Sequence, residues 1–172
     1  MSGSKSKKKG NSWERTVAKY LSEQHSASFI RVPHSGAYIG GTNVYRKAQL
    51  DSSQIKGFKG DIIPPETWIH FNAEAKNYAD FPFHQLYQGS VPMLEKWLGQ
   101  LLEVAEPGDF NVLFMKFNRK GSFIATQPTP SLALNSNYLT YLSPSHGTWI
   151  IQDFESFWSN NKSAIEQLAT KA

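Results

Sequence analysis

The sequence predicts an α/β domain in which a central mixed β-sheet is flanked by helices. Three observations carry that expectation. Residues 11–24 (NSWERTVAKYLSEQ) place Trp13, Val17, Tyr20 and Leu21 on one stripe of a helix. Residues 68–76 alternate with the period of a strand: Ile69, Phe71, Ala73 and Ala75 fall on one side, and Trp68, His70, Asn72, Glu74 and Lys76 on the other. Residues 92–105 (PMLEKWLGQLLEVA) return to a helical period, between a Pro at the start and Pro107-Gly108 at the end. Helical stripes interleaved with strands argue for helices packed on a sheet.

The 172 residues, 40% hydrophobic and 13% aromatic, suit one globular domain with a real core. No cysteine is present, which excludes disulfides and a thiolate zinc site. No apolar run approaches the ~20 residues that span a bilayer. The basic, polar N-terminus has no apolar core of a secretory signal. The expected location is the cytoplasm, the host's if the source is viral, and no membrane partner is expected. The charge is uneven. Lys5, Lys7, Lys8 and Lys9 crowd the first ten residues, which hold no acid. Without them the body balances fourteen Lys and Arg against fourteen Asp and Glu. Residues 1–10 therefore read as a disordered basic arm, and residues 11–172 as a single domain. Such an arm suits phosphate backbones, through salt-sensitive, sequence-blind contacts. A solubilising tail is the plain alternative.

Along the chain, Asn11 or Ser12 caps the first helix. Glu14 then has two readings. It is a capping-box Glu three residues after Asn11, or a carboxylate aimed inward at a site. Residues 28–32 (SFIRV) read as a short strand, and Pro33-His34-Ser35-Gly36-Ala37 as a turn. His34 is an exposed loop residue or a phosphate contact. Residues 37–59 mix glycines with Arg46, Lys47, Lys56 and Lys59 and with Tyr38, Tyr45 and Phe58. A loop this long is usually functional or disordered. Its composition suits backbone contact and stacking on DNA, or an ordinary surface excursion. A short helix is expected over residues 83–88. Residues 110–117 and 122–126 form a hairpin turning at Asn118-Arg119-Lys120-Gly121. Residues 138–142 and 148–151 are weaker strands or loops. Residues 153–169 are helical in two pieces, broken near Asn160-Asn161, and docked by Phe154, Phe157 and Trp158.

The chemistry gathers in residues 60–76 (GDIIPPETWIHFNAEAK). Glu74 and Lys76 share one strand face, where a plain surface ion pair would be worth little. Asp61, between a Gly and two Ile, sits oddly for a carboxylate without a partner. A hard divalent cation is such a partner, because Mg²⁺ takes carboxylate oxygens and fills its octahedron with waters. Lys76 would then orient a water or offset phosphate charge. A hairpin centred on Pro65-Glu66 would set Asp61 opposite residue 70, ~13 Å short of Glu74. The pair therefore requires a turn centred later, or a bulge near Asn72.

The D-x12-E-A-K pattern from Asp61 to Lys76 resembles the signature of PD-(D/E)xK nucleases, with Gly60 where that signature usually has a proline. Lys9-Gly10 through Glu14-Arg15 resembles the K-G-x3-E-R opening of archaeal-type Holliday junction resolvases, and Arg31 with Ser35-Gly36 resembles their strand Arg and following Ser-Gly. The resemblance spans roughly residues 9–126 and leaves residues 127–172 as a C-terminal extension. It implies a restriction-endonuclease-like core and phosphodiester hydrolysis leaving a 5′-phosphate and a 3′-hydroxyl. It implies Mg²⁺, with Mn²⁺ able to substitute, held by Glu14, Asp61 and Glu74, with Ser35 and Lys76 assisting. Lys7, Lys8, Lys9, Arg15, Arg31, His34, Arg46, Lys47, Lys59 and Gln85 are the candidate DNA contacts. Resolving a four-way junction needs two symmetric cuts, so a two-fold homodimer follows. The alternatives are another nuclease of this superfamily acting on linear, nicked or end DNA, and a non-catalytic DNA-binding protein.

Overall fold

In the computed structural model, which describes residues 3–32 and 60–171, the elements run as follows. α1 (Gly3–His25), β1 (Ile30–Arg31), β2 (Ile62–Ile63) and β3 (Phe71–Tyr78) come first; a 3-10 helix (Phe83–Tyr87), α2 (Pro92–Glu103), β4 (Phe110–Phe117) and β5 (Gly121–Thr126) follow; β6 (Leu139–Ser143), β7 (Gly147–Asp153) and α3 (Phe154–Thr170) close the chain. Five strands form one mixed sheet in the order β3-β4-β5-β7-β6. β3 and β4 are parallel, with Phe71 opposite Phe110 and Tyr78 opposite Phe117. Parallel neighbours need a crossover, and α2 supplies it. The other pairings in this sheet are antiparallel.

The two faces of the sheet build two cores. Phe71, Ala73 and Ala75 of β3 and Val112 and Phe114 of β4 pack with Trp13, Val17 and Leu21 of α1 and Phe154, Phe157 and Trp158 of α3. Leu113, Met115 and Phe117 pack on the opposite face with Leu94, Trp97, Leu98 and Leu101 of α2. The fold is thus α/β with helices on both faces of a mixed sheet, a restriction-endonuclease-like arrangement. α2 packs its apolar stripe over the sheet.

Four sequence expectations change. The basic arm is helical from Gly3 onward and continues α1. Lysine is a good helix former, no proline interrupts residues 3–10, and Lys9 is anchored at both ends. Its carbonyl accepts from Asn77 Nδ2 at 3.1 Å and its Nζ donates to Asn118 Oδ1 at 2.6 Å. Asn11 and Glu14 consequently lie inside the helix, so neither caps it.

The strand expected from Trp68 begins at Phe71, because residues 66–67 and 69–70 are turns. Trp68 is accordingly buried and Ile69 exposed, the reverse of simple alternation. The polar face of β3 is also covered by α2. Asn72 is fully buried, donating to the Leu101 carbonyl at 2.7 Å and to Asn111 Oδ1 at 2.9 Å.

α3 is one unbroken helix. Asn161 does not end it, because its side chain is buried and fully used. Its Nδ2 donates to the carbonyls of Phe157 and Ala133, and its Oδ1 accepts from the Ala133 amide. Finally, residues 127–172, the C-terminal extension of the single domain, complete its central sheet. They add β6 and β7 to the same sheet, and α3 closes one face.

Candidate active site

β3 is an edge strand of the five-stranded sheet, and an edge leaves backbone groups unpaired. The segment entering β2 fills that edge at one point. The Asp61 amide donates to the Ala73 carbonyl at 2.8 Å, and the Ala75 amide donates to Asp61 Oδ2 at 2.8 Å. The Asp61 side chain thus stands in for a neighbouring strand. Its own carbonyl accepts from the Val32 amide at 2.9 Å, tying it to the β1–β2 ribbon. This sets Asp61 beside Ala73–Ala75. The long connection through Pro64, Pro65 and the two turns gives the later-centred geometry that the carboxylate pair required.

Gly60 permits this approach. Its φ is +62°, and a Cβ there would stand 2.1 Å from the Ala73 carbonyl oxygen. Gly60→Ala is therefore expected to destabilise the protein by about 2 kcal/mol or more, from left-handed strain and a backbone clash. It should also pull Asp61 from the Ala75 amide. A denaturant midpoint equal to wild type would contradict the contact.

Glu74 lies between the two β3 residues that hold Asp61. Its carboxyl is pushed up to about 8, first by burial, then by the Asp61 charge and a hydrogen bond shared with Asp61. Lys76 opposes this: its Nζ is 3.5 Å from Glu74 Oε2. The same Nζ donates to Gln100 Oε1 of α2 at 2.6 Å. Gln100 is absent from the sequence-level site. Only the β3–α2–β4 crossover brings it to Lys76, and no spacing in the chain announces that.

Glu14 reaches the site from α1. Its carboxyl is raised by burial and then by the Asp61 charge, against the lowering effect of Arg31. Arg31 Nε donates to Glu14 Oε2 at 2.6 Å, and Arg31 Nη2 to Asn11 Oδ1 at 2.7 Å. Arg31 is thus engaged inside the protein, holding the Glu14 carboxylate in place. Asp61, Glu74 and Glu14 lie in one electrostatic neighbourhood with Lys76. Among the described residues, no three acidic or histidine side chains close into a ready-made ion cage.

The remaining candidates divide. Lys7, Lys8 and Arg15 are exposed on α1, and Lys9 is exposed there with its amine on Asn118. Gln85 is half-buried on the 3-10 helix. His34, Ser35, Arg46, Lys47 and Lys59 lie outside the described residues, as does the whole 37–59 insertion. Among the described residues, no helix is long and apolar enough to cross a membrane.

A family model described as "phage putative PDDEXK endonuclease" matches residues 5–167. No curated protein and no solved structure gives a significant match.

Proposed function

The chain belongs to the phage PDDEXK endonuclease family, and we propose that it is a Mg²⁺-dependent, structure-selective endodeoxyribonuclease that resolves four-way DNA junctions as a homodimer. As a member of this family it is a nuclease, and PD-(D/E)xK nucleases generally use divalent metals such as Mg²⁺. The observation that carries the site assignment is the Asp61–Glu74 pair beside Lys76. Buried beside the Asp61 charge and within hydrogen-bonding reach of it, the Glu74 carboxyl is pushed up to about 8. That donor set fits Mg²⁺, which binds through one or two carboxylates and keeps several waters. Asp61 and Glu74 would hold it, with Glu14 behind Asp61 adding negative charge or a third ligand. Bound there, the ion polarises a phosphoryl oxygen and lowers the pKa of a bound water.

The chain's own residues do the rest. Lys76 presents its ammonium group beside Glu74, where a non-bridging phosphate oxygen or the attacking water would sit. Gln100 fixes the direction of that ammonium. Asp61 and Gly60 lock the edge of β3, so the two carboxyls keep their spacing. Ser35 is assigned to the same phosphate, and His34, Arg46, Lys47, Lys59 and Gln85 to flanking DNA.

Gln100→Leu is expected to lower kcat by roughly 10- to 100-fold, the usual cost of removing a group that orients a site residue. KM and the thermal midpoint should hardly move, because Gln100 lies on the surface of α2. Unchanged kcat would remove Gln100 from the site.

The proposal is tested by titrating Mg²⁺ into the protein with a labelled four-way junction. Paired, symmetric nicks are expected, abolished in Glu74→Ala. Cleavage that survives Glu74→Ala would overturn the site. The second reading is the same chemistry on linear, flapped or nicked DNA. Equal cutting of junction and linear duplex would favour it.

A further inference from the structure

α1 carries catalytic and basic residues on different sides. In the helix from Gly3 to His25 the acids are Glu14, which is buried, and Glu23, which lies near the C-terminal end. Lys5, Lys8, Arg15 and Lys19 repeat at intervals of three, seven and four, with Ser12 filling the gap, and all five are exposed. At about 100° per residue these four cations lie roughly 100° to 180° around the axis from Glu14. The stripe runs ~21 Å along the helix, about six base steps of duplex at 3.4 Å each. Lys5, Lys8 and Arg15 have no acidic partner among the described residues, and Lys19 has only an exposed contact at 4.0 Å to Glu23, worth little.

Glu14, Arg31 and the Asp61–Glu74 pair lie on the other side of α1. A straight duplex lies along one side of the helix that it contacts. DNA whose phosphate sits at Lys76 therefore cannot also lie along a stripe on the far side of a helix ~10 Å thick.

We propose that the outer stripe of α1 is a second, non-catalytic DNA-binding face that takes a different duplex segment, another arm of the same branched DNA. Its contacts are to phosphates and carry no sequence information. It deepens the junction reading: the site cuts one arm while the rail holds another, and a linear duplex engages only one of the two faces at a time.

The test measures binding alone, on cleavage-dead Glu74→Gln protein without metal, by fluorescence anisotropy against a four-way junction and a linear duplex. The variant K5Q/K8Q/R15Q/K19Q is expected to raise the junction Kd at least ~10-fold and to lower its log–log salt slope by about three to four. Linear-duplex affinity should change less than about twofold. K5R/K8R/K19R, which keeps the charge, should bind the junction as wild type does. A circular-dichroism melt matching wild type excludes misfolding as the cause. Equal loss on both DNAs, no loss on either, or loss confined to phosphatidylserine vesicles would overturn the proposal. Because cleavage is not read, failure of the rail and failure of the nuclease assignment are separate results.

Discussion

Glu74→Gln is expected to lower the cleavage rate by about three orders of magnitude, near 4 kcal/mol of barrier, without destabilising the protein. The two effects have one cause. Burial and the neighbouring Asp61 push the Glu74 carboxyl from 4.5 up to about 8. The folded protein therefore keeps a proton that the unfolded chain gives up above pH 4.5. The linkage sign follows: the folded state binds more protons across this window, so wild-type stability falls as pH rises from about 4.5 to about 8 and levels beyond it. The loss is on the order of 2–4 kcal/mol. Gln keeps the shape and cannot ionise, so it removes this slope. Denaturant midpoints at pH 5 and pH 8 check the point. Wild type should lose more stability between them than Glu74→Gln, which keeps only the smaller contribution of the raised Glu14 carboxyl, and the variant should be the more stable at pH 8. A variant that is less stable at pH 8, or that still cuts DNA, would contradict the assignment.

Asp61 separates structure from chemistry in the opposite way. Its carboxylate supplies the acceptor for the Ala75 amide at the edge of β3. Asp61→Ala leaves that buried N–H bare, which costs about 1–3 kcal/mol, and also removes a proposed metal ligand. Asp61→Asn keeps an acceptor oxygen of the same size. Its stability is expected within about 1 kcal/mol of wild type, while cleavage is lost in both variants. Thermal melts beside a cleavage assay distinguish the cases. An Asp61→Asn protein that cuts at the wild-type rate would show that Asp61 only braces the strand.

Much of this arrangement was legible in the chain because it is local. The helical stripe around Trp13 and Val17, the amphipathic α2 and the hairpin turning at Asn118–Gly121 each depend on a few neighbouring residues. The Asp61, Glu74 and Lys76 pattern was legible for a different reason: carboxylates set among Gly, Ile and Ala are costly unless they share a partner. What escaped was decided by tertiary contact. Residues 3–10 continue α1 because Lys9 is held by Asn77 and Asn118, from two other elements. Asn161 looked like a helix breaker, yet it clamps the Ala133 backbone from inside α3. Gln100 became a neighbour of Lys76 only through the parallel crossover. Arg31, a candidate DNA contact in the sequence, is engaged by Glu14 and Asn11.

The same electrostatics would govern the proposed metal. A cation taken by Asp61 and Glu74 would have to displace the proton that Glu74 retains, so Mg²⁺ binding should strengthen as pH rises towards 8 and then level off. Isothermal titration of Mg²⁺ at pH 7, in two buffers of different ionisation enthalpy, reads that displacement directly. The result predicted is binding with close to one proton released per ion, falling towards zero by pH 9, and absent in Glu74→Gln. Binding without proton release, or no binding at all, would contradict a metal held by the Asp61–Glu74 pair.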